Sequence, residues 1–159
     1  MAKKTILPTL INYTNTPVAN WSDAQKEKAT TLYANIIDKA LPKISAHLSI
    51  QEMYELLADE FGIVMDLIQK YAPKQNMTCH VLIEGEAVFL YNMIDALHSE
   101  NIRCFAPVYD NNKFVQFRPY ADYDALSAQN EAEEKEIQNV MDDLQVSLKE
   151  FENLYKPKK

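Results

Sequence analysis

Met77-Thr78-Cys79-His80-Val81-Leu82-Ile83-Glu84-Gly85-Glu86-Ala87, continued as far as Ile102, is the stretch on which the fold turns. The unbroken apolar run Val81-Leu82-Ile83 suits a strand covered on both faces, as parallel sheets are. Gly85-Glu86 then reads as a tight turn, and an amphipathic helix follows from Ala87 to about Ser99. The chain has only two glycines, and one of them stands at this turn. A glycine lets backbone approach a ligand closely, and the free N–H groups that open a helix favour an anion. Gly85 and Glu86 are therefore candidate site residues, and the carboxyl end of this strand is the expected ligand position. A purely structural reading stands beside that one, with the glycine serving turn geometry and Glu86 complementing the helix dipole.

Working outward, the N-terminal side supplies more strands and helices. After a basic start at Lys3-Lys4, Thr9 to Tyr13 reads as a strand that Pro8 introduces, since proline cannot donate inside a central ladder. A polar loop from Thr14 to Trp21 follows, and Ser22 with Gln25 fits a capping box opening a helix to about Tyr33. Ile36 to Asp38 forms a short strand. A second capping box, Ser49 with Glu52, opens the main core helix, where Met53, Leu57, Phe61, Val64, Ile68 and Tyr71 recur at threes and fours. Gly62 inside that helix costs about 1 kcal/mol relative to alanine, so close helix-to-sheet packing is expected there.

On the C-terminal side, Arg103 to Tyr109 and Lys113 to Arg118 read as strands joined by the turn Asp110-Asn111-Asn112, an antiparallel hairpin at a sheet edge. The order predicts an α/β fold, an open Rossmann-like and mostly parallel sheet with an antiparallel edge hairpin and helices on both sides. This domain is expected over residues 1–122, with a long C-terminal helical extension over 123–159. In the extension Ile137, Met141, Leu144, Leu148, Phe151 and Tyr155 alternate at fours and threes, a narrow helix–helix seam. That seam docks on the protein's own body or on a second copy, or recruits a protein partner through residues 127–155. Lys156-Pro157-Lys158-Lys159 is a solvated end.

Composition bounds the function. The 159 residues carry a formal charge of −7, which argues against non-specific binding to long nucleic acid, though a compact phosphate ligand needs only a few local donors. The only arginines are Arg103 and Arg118. Cys79 and Cys104 lack metal-ligand spacing and read as buried reduced thiols. No apolar run reaches the roughly 18 residues of a membrane span, and no signal peptide is visible, so a cytoplasmic protein without a membrane partner is expected. His47, His80 and His98 fit no catalytic triad.

Five short motifs carry a family resemblance: Asn15-x-Pro17, Trp21-Ser22-x-x-Gln25, Ile36-Ile37-Asp38 with Pro42, Gly85-Glu86-Ala87-x-Phe89, and Phe117-Arg118-x-Tyr120. Together, over about residues 9 to 120, the chain resembles CRISPR-associated accessory proteins similar to the Rossmann-like sensors that bind, and in some cases cut, cyclic oligoadenylates. The resemblance implies a cyclic oligonucleotide ligand, a homodimer whose twofold crevice suits a symmetric ring, and no cofactor or metal, because a ribose 2′-OH can attack the neighbouring phosphate. It places catalysis on Asn15, Glu86 and Arg118. Ligand binding falls to Asn12, Thr14, Trp21, Ser22, Gly85 and Lys113. Trp21 reads equally as a ring stacking on an adenine or as an anchor that buries its ring under the loop, and Thr14, Asn15 and Ser22 have a structural reading too, satisfying loop and helix-end backbone groups. Two departures bear on catalysis: Thr16 replaces the histidine usual in that pattern, and Ala106-Pro107-Val108-Tyr109-Asp110 replaces a Ser/Thr-rich strand end. A non-catalytic binder that sequesters the nucleotide and an interaction scaffold acting through the C-terminal helix are the alternatives.

Overall fold

The computed structural model of the chain describes residues 6–74, 77–121 and 123–154, with backbone alone at 123–129 and 150–154. The basic start, Tyr155 and the Lys156–Lys159 end lie outside the described residues, as does the side chain of Phe151. Elements follow in the order β1 (Thr9–Tyr13), α1 (Asp23–Leu32), β2 (Asn35–Asp38), α2 (Ile50–Tyr71), β3 (Cys79–Ile83), α3 (Ala87–Ser99), β4 (Arg103–Asp110), β5 (Lys113–Pro119) and α4 (Tyr123–Leu154). Two compact units result, Met1–Tyr120 and Ala121–Lys159. Among the described residues, no helix is long and apolar enough to cross a membrane.

The first unit is an open, Rossmann-like α/β sheet of order β2-β1-β3-β4-β5, parallel except for β5, which runs antiparallel to β4. Alternation along the strands sorts the core. Ile11, Tyr13, Val81 and Ile83 pack with Val64 and Ile68 of α2 and with Phe89, Met93 and Leu97 of α3. Leu10 and Leu82 face the other way, toward Trp21, Ala29, Tyr33 and Phe117. Both central strands are thus covered on both faces, which is why β3 reads as a solid apolar run. Because β1 leads into α1 on one face and β3 into α3 on the other, their carboxyl ends flank the switch-point crevice of a doubly wound sheet.

Local chemistry fixes the element ends. Ser49 and Glu52 form the full expected capping box of α2, each satisfying the other's backbone N–H. At α1 only half of the expected box exists: Ser22 Oγ accepts from Gln25 N–H at 3.2 Å, while the Gln25 side chain is buried elsewhere. Helix α3 ends in a Schellman turn, with Asn101 left-handed at φ 61° and Ile102 N–H donating to Leu97 O at 2.9 Å. The hairpin turn is tighter than the sequence suggests: Asp110 already pairs with Lys113, leaving Asn111 and Asn112 at φ 48° and 62°, the double left-handed geometry that asparagine tolerates. Gly62 overturns its expected packing role, since an added Cβ would meet nothing within 4 Å.

Candidate functional site

The carboxyl rim of the sheet is built from the end of β1 outward. Asn12 is 1% exposed, and its amide donates to Asp38 Oδ1 at 2.7 Å and to Thr16 O at 2.9 Å. Thr14 Oγ1 donates to Asn12 Oδ1 at 2.8 Å. The Asp38 carboxylate accepts from Val18 N–H, at the first turn of a short 3-10 helix, Val18–Asn20. Trp21 Nε1 donates to Thr16 O at 3.1 Å, and its ring packs tilted against Phe117 with centroids 6.0 Å apart. Loop 14–21 is therefore held from beneath by side chains whose polar atoms already have partners.

This arrangement corrects two expectations. Trp21 is only 4% exposed, so its ring anchors the loop and leaves no open face for an adenine. Asn12 spends both amide hydrogens and its carbonyl oxygen on the loop and on β2, so it positions the rim and does not contact a ligand. Thr14 is buried in the same network, and Ser22 caps α1 beside it. Asn15 stands exposed at the loop's outer edge.

On the α2 and α3 face the turn after β3 is also occupied by the chain itself. Glu86 is the N-cap of α3, its carboxylate accepting from Val88 N–H at 3.1 Å and Phe89 N–H at 2.8 Å. Those bonds hold its carboxyl below the usual range, and they fill the anion position expected at this helix start. Gly85 likewise serves packing and not ligand approach: its φ is not positive, and a Cβ there would stand 3.1 Å from Leu41 Cδ1. Beside Glu86 lies a cleft of about 520 Å³ between the starts of α2 and α3, lined by Ile44, Leu48, Met53, Tyr54, Val88 and Asn92 among others. Its mostly apolar lining with a few polar groups, and its size, fall in the range of small-molecule sites.

Several polar residues at this rim escaped the sequence reading. Glu60 is 8% exposed and accepts from Tyr13 Oη at 2.7 Å and Lys39 Nζ at 2.8 Å, and burial with that hydrogen bond drives the Tyr13 phenol upward. A signal existed: Glu60 stands seven residues after Met53 and four before Val64, inside the apolar stripe. Glu84, the residue after β3, is half-buried, and burial raises its carboxyl above the usual range. Its charge in turn raises the phenols of Tyr109 and Tyr120, after burial. Tyr109 Oη donates to Gln25 Oε1 at 3.2 Å, and Tyr120 Oη donates to Ile83 O at 3.1 Å, bringing the hairpin to the end of β3. Lys113 and Arg118 stand exposed on β5, and Arg118 pairs through its backbone with Ala106.

The structure thus brings Asn12, Thr14 and Trp21 into one supporting network on the α1 face, with Ser22 capping α1 next along the chain, and sets Gly85 and Glu86 on the other face beside the cleft. Asn15, Lys113 and Arg118 remain as exposed polar side chains. Among the described residues, no three His, Cys, Asp or Glu side chains gather where they could hold a metal ion. A family model, that of the uncharacterized protein MJ1673 family, matches residues 8–118. No curated protein and no solved structure matches the chain.

Proposed function

The chain belongs to the uncharacterized protein MJ1673 family, a membership that carries no activity with it, and we propose from the site that it binds a cyclic oligoadenylate of CRISPR defence at the carboxyl rim of its sheet. One observation carries this reading. The five motifs of the resemblance, scattered from Asn15 to Tyr120, fall at one rim: the loop after β1, the start of α1, the end of β2, the turn after β3, and the end of β5 with Tyr120 just after it, tied to Ile83. Ligands of open α/β sheets bind at that rim, beside the switch point.

Binding in this reading draws on the residues whose polar atoms are free for a ligand. Lys113 and Arg118 neutralise phosphate, Asn15 donates from the loop edge, and the cleft beside Glu86 takes apolar surface of a base or ribose. Asn12, Thr14, Asp38 and Trp21 hold the loop in its binding shape, so the ordering cost is met before the ligand arrives. A twofold homodimer suits a symmetric ring.

Ring opening is the chemistry such a rim supplies. A ribose 2′-oxygen attacks the adjacent phosphorus and the P–O5′ bond breaks, leaving a 2′,3′-cyclic phosphate and a 5′-hydroxyl. The 2′ proton leaves to a base, and the 5′-oxygen takes a proton from an acid. Glu84, with its carboxyl raised by burial, fits proton transfer better than Glu86, whose carboxylate is spent on the helix start. A non-catalytic binder is the second reading, favoured by Thr16 in the loop and by that use of Glu86.

Incubating the purified chain with a panel of cyclic oligoadenylates, without added metal, tests both readings by thermal shift and by chromatography of the nucleotide. Stabilisation with cleavage, lost in Glu84→Gln while binding persists, is the expected result. Stabilisation without cleavage selects the binder. No stabilisation by any ring overturns the proposal.

A further inference from the structure

Outside the residues that the family model matches lies a helix whose apolar side chains have no cover in the chain's own second unit. Helix α4 runs for 32 residues, and among its described side chains Ile137, Met141, Leu144 and Leu148 are 61%, 52%, 58% and 62% exposed. They follow one another at spacings of four, three and four. Alternating fours and threes are the a and d positions of a heptad, a narrow seam turned toward a partner helix; a helix lying on a globular body shows a broader apolar face.

The charges say which partner helix fits. Residues 123–154 hold nine acids against two lysines, so two copies of α4 repel wherever their acids face each other. Along the seam they do not. The positions flanking Ile137, Met141, Leu144 and Leu148 are Gln138, Val140, Gln145 and Ser147, all uncharged, while Asp142, Asp143 and Lys149 sit farther round the helix. Toward the N-terminus Glu133 and Glu134 enter the flanking and seam positions and end the apolar stretch. A basic partner recognised by charge would need acids along the flanks between Ile137 and Leu148, where none stands. A like helix needs flanks without repulsion, which is the pattern present.

We propose that α4 pairs with α4 of a second copy through Ile137, Met141, Leu144 and Leu148, making the chain a homodimer held by its C-terminal helices. The pairing is independent of any nucleotide. Sedimentation equilibrium of the full chain, free of ligand, reads it directly. The expected mass is twice the 18.3 kDa of one chain. Leu144→Glu should sediment as a single chain, Leu144→Ile should keep the dimer, and Val146→Glu, an equally exposed change away from the seam, should keep it too. The proposal is overturned by a single-chain mass for the unaltered protein at all concentrations, by a dimer that persists in Leu144→Glu, or by equal dissociation in Val146→Glu.

Discussion

His80 shows how much a single half-buried group in this fold can tie stability to pH. It lies edge-on to Tyr33 at 5.7 Å and stacks tilted on Phe105 at 5.1 Å, on the face that α1 covers. Burial, with the Arg103 charge adding to it, lowers its pKa to about 4. An unfolded histidine titrates near 6.5. Between the two values the unfolded chain binds the extra proton, so stability falls as pH drops from about 6.5 to about 4, by at most about 1.4 kcal/mol per unit. Above that window both states are neutral and the group contributes nothing. Urea unfolding from pH 7 to pH 4.5 should show the slope, and His80→Phe should flatten it; an equal slope in the variant would assign the acid sensitivity to other groups. The same scale explains what the sequence hid. Trp21, beside a polar loop and a helix cap, reads equally as anchor or stacking ring, and only the position of Phe117 decides for the anchor.

At the scale of elements, the two glycines have exchanged meanings. Gly85, in the turn where ligand approach was expected, makes room for Leu41; Gly62, expected to pack closely, faces open space in the middle of α2. Gly62→Ala should therefore raise the unfolding free energy by about 1 kcal/mol, since the alanine removes backbone entropy from the unfolded state and clashes with nothing. A denaturant midpoint that does not rise would mean that the glycine relieves strain elsewhere in α2. The element boundaries themselves were legible. Ser22 and Ser49 marked helix starts, the apolar run Val81 to Ile83 marked a two-sided strand, and periodicity marked the buried face of α2. Glu86 was ambiguous because the same carboxylate that caps α3 from one rotamer would meet a ligand from another, and spacing along the chain cannot distinguish them.

Across the whole molecule, residues 1–120 hold the sheet and its three covering helices, while α4 forms a second unit. A chain ending at residue 121 should keep a cooperative thermal transition of its own, because the first unit holds a complete core on both faces of the sheet; loss of that transition would show that the sheet depends on the helix. The sequence by itself determined the α/β class, the hairpin edge, the long terminal helix and its seam. Those features are periodic or local, and hydrophobic spacing, caps and turn residues record them directly. Only the tertiary structure decided which polar side chains are spent on the fold. Asn12 meets Asp38 and Glu60 meets Tyr13 and Lys39 across 26, 47 and 21 residues of chain. Pairing over such distances follows from the strand order, which brings β1, β2 and α2 together, and no local pattern encodes it.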